Sequence, residues 1–135
     1  MSNEMTGAGG LSRTKLLKIA LIAFGVSFMP LYPLAFIWPS GWSWHQGMPH
    51  ESQYFMMIVG VYATLGGFLI YAASKPAAHL SLIWFTVWSS AAHGLIMAVQ
   101  SVAQPEHMIH LVSDVPALLL VAVVLGFLAP SAKAM

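Results

Sequence analysis

The residues of this chain that could do chemistry sit inside long apolar stretches. Thr86, Ser90, His93 and Gln100 fall in one stretch, and His107, His110, Ser113 and Asp114 open the next. Seven residues make about two helical turns, so Thr86, His93 and Gln100 fall nearly in line. His107, His110 and Asp114 follow an i, i+3, i+7 spacing and also share a helical face. An ionised Asp deep in a bilayer costs roughly 2.5–3.5 kcal/mol on insertion scales, so Asp114 is not expected to face lipid alone. Three arrangements relieve that cost: a protonated Asp114 that donates a hydrogen bond, pairing with His93 or with His110 one turn away, or exposure to a water-filled pocket. The residues leave that choice open. They also leave open whether these groups form a network that fixes helix register, a ligand or cofactor pocket, or a path for protons or ions.

Histidine ligates both haem and metals. A bis-His haem wants two histidines at matched depth on facing helices. His93 and His110 differ by roughly 10 Å in depth at ~1.5 Å per residue, a poor match. A single axial ligand for haem or a chlorin ring remains open, with His93 the best candidate. His45, His50, His107 and His110 could gather as a metal site, but their spacings match no standard zinc or copper motif. The chain has no Cys, which excludes disulfides, thiolate metal sites and cysteine nucleophiles. No other nucleophile motif, phosphate-binding glycine loop or catalytic carboxylate pair is present.

Composition dictates the elements that hold these residues. Of 135 residues, 59% are hydrophobic and 7% charged, against about 25% charged in an average soluble domain. So few charges cannot cover a soluble surface, and lipid must cover much of it. The net charge of +1 comes without a basic stripe, so nucleic acid is not an expected partner. Four stretches of about 20 residues are long enough to span: residues 16–38, 54–73, 80–102 and 108–129. Runs such as Leu118-Leu119-Leu120-Val121-Ala122-Val123-Val124-Leu125 do not alternate apolar with polar, so helices are expected rather than a barrel. The fold class expected is all-α: a transmembrane four-helix bundle in one domain, residues 13–130. Residues 1–12 are expected to be a disordered cytoplasmic N-terminus and residues 131–135 a cytoplasmic tail.

Arg13, Lys15 and Lys18 precede the first span, Lys75 joins the second and third, and Lys133 follows the fourth. All basic residues then lie on one side, which the positive-inside rule makes cytoplasmic, giving an N-in, C-in topology. The first stretch is longer than the ~7–15-residue core of a signal peptide and no small-residue cleavage pattern follows, so it is expected to be retained. Pro30 and Pro33 are expected to kink span one, and Pro116 span four, leaving the Val112 carbonyl to Ser113 or water. The short second and third connectors predict that spans two to four are antiparallel neighbours. Small residues on span three (Ser90, Gly94, Ala98) and span two (Gly60, Ala63, Thr64, Gly67) are expected to pack inside the bundle, with a homo-oligomer face as the alternative. The loop of residues 39–53 carries Trp42 and Trp44. It reads as an aromatic belt on the outer surface, or else as a lid over an outer-facing site.

Counted from the outer span ends, His93 lies about 13 Å deep, Tyr62 about 12 Å, and Asp114 and Tyr32 about 9 Å. Tyr32, Tyr62, His93 and Asp114 are therefore expected to meet in the outer half of the bundle. Gln100 and His110 are expected one layer above.

Several runs carry a family likeness. They are Leu82-Ile83-Trp84-Phe85-Thr86-Val87-Trp88-Ser89-Ser90-Ala91-Ala92-His93-Gly94 with Met97-Ala98-Val99-Gln100, Trp38-Pro39-Ser40-Gly41-Trp42, Gly60-Val61-Tyr62-Ala63-Thr64-Leu65-Gly66, and His110-Leu111-Val112-Ser113-Asp114-Val115-Pro116-Ala117. Together they resemble a family of small bacterial four-helix membrane proteins of unknown function, over residues 16–130. The resemblance implies a helical bundle in a bacterial inner membrane and no particular activity. In size and span count the chain is also loosely similar to quinone-linked membrane proteins of the DoxX type, a likeness of fold level only. The first functional expectation is a non-enzymatic accessory subunit or small binding module in contact with lipid and with other membrane-protein subunits. The second is a redox-linked module holding haem, a chlorin or a quinone through His93. The third is a transporter or channel component, for which four helices are few and no inverted repeat is evident.

Overall fold

The computed structural model describes residues 12–130, so the expectations for residues 1–11, for the tail 131–135 and for Lys133 lie outside the described residues. Among the described residues six α-helices run in chain order: α1 Arg13–Phe28, α2 Leu31–Ile37, α3 Pro39–Trp42, α4 Gln53–Ala72, α5 Leu80–Ala103 and α6 Asp114–Leu128. Short 3-10 segments Pro49–Glu51, Pro76–His79 and Pro105–Val112 precede α4, α5 and α6. Each begins with proline, whose missing N–H costs nothing in a first turn. Ser12 caps α1, its Oγ accepting from the Lys15 N–H at 3.2 Å.

Three helical stretches, Gln53–Ala72, Pro76–Ala103 and Pro105–Leu128, are each long and apolar enough to cross a membrane. A fourth span exists only if α1 and α2, bent by 60° at their junction, count as one. The kink expected in the first span is therefore present, and it is sharp enough to break the helix in two. Pro30 cannot donate to the Val26 carbonyl, and its ring excludes the helical position of that group. The Val26 carbonyl accepts from Met29 instead, and the Leu34 N–H starts a new helix on the Pro30 carbonyl. Pro33 sits in the first turn of α2, where no donor is needed.

The start of the last span also differs from expectation. Residues 105–112 are 3-10, and the chain breaks at Ser113 (φ −120°, ψ −101°). Pro116 lies in the first turn of α6, so it deprives the helix of no bond and does not kink it. The Ser113 hydroxyl donates to the Ile109 carbonyl at 3.3 Å, not to that of Val112.

The helices associate as two pairs. α1 lies along α4, α5 lies along α6, and α1 also meets α6, whereas α4 and α5 touch only slightly. Spans two and three are thus poor neighbours despite their short connector. Gly25 and Gly66 draw α4 to α1 instead: a Cβ on Gly25 would lie 2.6 Å from the Gly66 carbonyl oxygen. Between α5 and α6, Gly94 accepts Leu118 and Leu119 at the closest approach. The α5 stripe is therefore internal, as expected. The α4 stripe is not, since Gly60 and Thr64 are exposed and Gly66 does the packing.

The main core gathers at the end where α1 begins and α6 finishes. Leu21, Leu69, Ile83 and Leu125 are fully buried there. Arg13 closes that end, its Nη2 donating to the Phe127 carbonyl at 2.6 Å and to that of Ala129 at 3.0 Å, and its Nε to Leu128 at 3.0 Å. Trp84 Nε1 donates to the Pro130 carbonyl at 2.9 Å. These donors satisfy carbonyls that a helix C-terminus leaves free. The opposite end, under the loop of residues 39–53, holds only a small cluster of Met97, Val115 and Leu118.

Candidate functional site

Because α4 and α5 barely meet and α2 turns away at Pro30, the loop end of the bundle is open inside. A cavity of about 720 Å³ lies there, walled by α1, α2, α4, α5, α6 and the loop. Its walls are mainly apolar, with Phe28, Leu34, Phe55, Met97 and Leu118 among them. Tyr54, Ile58 and Leu120 also line it and are exposed on the lateral surface of the bundle.

Two polar pairs face this space. Tyr62 Oη and His93 Nδ1 share a hydrogen bond of 2.6 Å that ties α4 to α5. Phe28 packs edge-on against the Tyr62 ring at 5.1 Å and holds it in place. If the tyrosine donates, His93 carries its proton on Nε2 and presents a donor; if Nδ1 donates, Nε2 is a free acceptor or ligand. The second pair is Trp44 and Asp114. Trp44 Nε1 donates to Asp114 Oδ2 at 2.9 Å. His110 Nδ1 lies 3.0 Å from Oδ1 and 3.1 Å from Oδ2 of the same carboxylate. Asp114 is the first residue of α6, where the helix dipole and free N–H groups favour a carboxylate.

The 3-10 geometry before α6 explains why His110 and His107 act on Trp44 together. In a 3-10 helix, side chains three apart eclipse. The indole accordingly stacks on His110 at 4.0 Å and lies 4.7 Å from the His107 ring. His110 is 1% exposed, and Asp114 is also buried.

Among the expected site residues, Tyr62, His93, Gln100 and Asp114 line one cavity. His110 lies outside that lining and holds the Asp114 carboxylate from behind. Tyr32 is not among the lining residues. The break at Pro30 carries it onto α2, where its ring packs edge-on against Phe36 at 4.9 Å. Of the arrangements open to Asp114, pairing with His110 is present, with Trp44 as a second partner, and the residue also faces the cavity. Sequence reasoning misses Trp44 as a site residue and sees in it only part of a belt or lid. An indole N–H two residues from another Trp is the available signal, but nothing in the spacing aims it at Asp114.

Of the four histidines considered as a metal site, His45, His107 and His110 line a second, smaller chamber, and His50 does not. His45 packs on Phe55 at 5.5 Å and its Nε2 lies 3.2 Å from the Met48 carbonyl oxygen. Among the described residues no group of three His, Cys, Asp or Glu could hold a metal ion.

No curated protein and no solved structure gave a significant match to the chain. A family of unknown function, DUF6632, matches residues 11–134. The helical chain with this cavity therefore belongs to the DUF6632 family.

Proposed function

We propose that this chain is a small, non-enzymatic membrane binding module that holds an apolar, ring-headed molecule in its cavity and serves a larger membrane assembly. A quinone or quinol is the ligand class that suits the walls best. The observation that carries this reading is the combination of mainly apolar walls with two polar pairs in a space of about 720 Å³. Ligand cavities usually hold about 300–1,000 Å³ and use a few placed polar groups to orient an otherwise apolar occupant. Quinone oxygens accept hydrogen bonds and quinol hydroxyls donate them. The Tyr62–His93 pair serves either role through its tautomers, and Asp114 accepts. The laterally exposed wall residues favour entry from the lipid side.

The basic residues Arg13, Lys15, Lys18 and Lys75 support a topology with both termini cytoplasmic, which makes the cavity face the outer leaflet of a bacterial inner membrane. The small share of polar chain supports contact with other membrane-protein subunits, or with a second copy of itself.

The test uses the full-length chain in mild detergent with a short-chain benzoquinone as probe. Trp42 and Trp44 line the cavity, so saturable quenching of tryptophan fluorescence reports occupancy. Tyr62→Phe removes one hydrogen bond, worth about 1 kcal/mol, and should weaken binding about fivefold. Absence of saturable quenching, or wild-type affinity in both Tyr62→Phe and His93→Ala, would refute the reading. A Soret or chlorin band lost in His93→Ala would replace the quinone with a macrocycle bound through His93 Nε2.

A further inference from the structure

Trp44 and His45 form a wall shared by two chambers. On one side is the apolar cavity. On the other is a second chamber of about 470 Å³, lined by Ser43, Gln46, Glu106, His107 and His110 among others. Asp114 faces only the first chamber and His110 only the second, yet the two side chains share the 3.0 Å hydrogen bond. His110 Nδ1 is committed to Asp114, whereas Nε2 has no hydrogen-bond partner among the described residues, and the residue lines the polar chamber. Ser43 lines the same chamber, and its Oγ is buried without a partner among the described residues. A buried hydroxyl of this kind calls for a polar visitor such as water.

We propose that His110 and Asp114 form a proton relay between the two chambers, so that the chain takes up a proton from the loop end when a ligand occupies the apolar cavity. The proposal rests on the reading of that cavity as a ligand site. The step balances without any redox partner. With Asp114 ionised and Nδ1 protonated, a proton from the polar chamber adds to His110 Nε2. The Nδ1–H bond then breaks as the Asp114 O–H bond forms. The net result is a neutral carboxylic acid facing the ligand and a neutral imidazole with its proton on Nε2. An apolar occupant excludes water from the cavity side of Asp114, where a charge buried without water is costly, and leaves His110 as the route for the proton that neutralises it. Departure of the ligand reverses each transfer.

Other titratable groups face the pair. They are Tyr54 and Tyr62 from α4, His93 from α5, His45 from the loop, and Glu106 and His107 from the 3-10 segment. α1 and α2 contribute none to either chamber. Of these, only His45 lines both chambers, and it has no hydrogen bond to Asp114.

The experiment titrates the full-length chain in lipid nanodiscs with a short-chain benzoquinol, an uncharged probe, in two buffers of different ionisation enthalpy. The difference in heat counts the protons exchanged per probe bound, and the slope of log affinity against pH must give the same count. Wild type should take up about one proton per probe. His110→Gln keeps a donor toward Asp114 but cannot relay, so proton uptake after rapid mixing with the probe, read with a pH-indicator dye, should slow by about a hundredfold. Saturable binding with no proton exchange in wild type overturns the relay and leaves the ligand site standing. Uptake as fast in His110→Gln as in wild type also overturns it. Absence of saturable binding overturns both readings. If His110→Gln does not fold, the wild-type proton count and its pH slope still decide.

Discussion

Replacing Gly25 by Ala should destabilise the bundle, although the same change at Gly60 should stabilise it. A Cβ at Gly25 would stand 2.6 Å from the Gly66 carbonyl oxygen and 2.7 Å from Ile70 Cγ1. Ordinary van der Waals contact begins near 3.4 Å. The helices must therefore part by about 0.8 Å (3.4 minus 2.6) at that point, against backbone rather than a flexible side-chain end. Overpacking of this kind costs about 1–3 kcal/mol. Against it stands the helix-propensity gain of Ala over Gly, about 1 kcal/mol. The net expectation is a loss of up to about 2 kcal/mol. Gly60 is the control: it lies in α4, and a Cβ placed there would meet nothing within 4 Å. Gly60→Ala should gain about 0.5–1 kcal/mol. Reversible SDS unfolding in mixed micelles, followed by tryptophan fluorescence, measures both. If Gly25→Ala proves as stable as Gly60→Ala, the close approach of α1 and α4 is not what pairs those helices.

Trp44→Phe keeps an aromatic face for His110 but deletes the donor to Asp114, a bond to a charged acceptor worth about 1.5–3 kcal/mol; the same unfolding assay should show a loss in that range, larger than for Trp42→Phe. Arg13→Ala removes the donors to the Phe127, Leu128 and Ala129 carbonyls and should cost about 1 kcal/mol, with Arg13→Lys recovering less than half because an ammonium lacks the planar fork. Faster amide exchange near both ends of that contact would accompany the loss. Gly47→Ala places a Cβ on a residue at φ +96° and against the Glu51 carboxylate, which otherwise accepts from the Met48 N–H at 2.8 Å. Thermal unfolding should fall by the equivalent of about 1–2 kcal/mol, and Trp44 should become more accessible to an aqueous quencher.

By itself the sequence determined what depends on composition and local spacing. Few charges and long apolar runs sufficed for a helical chain with several helices able to cross a membrane, because lipid solvates only such surfaces. The i, i+4 spacing sufficed to bring His110 and Asp114 within reach of each other. Depth counting brought Tyr62 and His93 to one level, since rise per residue holds along unbroken helices such as α4 and α5.

Tertiary structure decided whatever depended on where a helix breaks and which face it turns inward. Pro30 and Pro33 announced a disturbance, but only packing fixed a 60° turn, and that turn carried Tyr32 away from the other polar groups. Gly60, Gly66 and Gly67 are equivalent as residue types, and only the approach of α1 selected Gly66. The separation of α4 from α5, and with it the cavity, follows from that choice. Trp44 entered the site because 3-10 geometry stacked His107 and His110 against it, a contact between segments about 60 residues apart that no local pattern encodes. Asp114 is, by sequence, a costly charge in an apolar stretch. The fold gave it Trp44 and His110 as partners, and a place on the wall between an apolar chamber and a polar one.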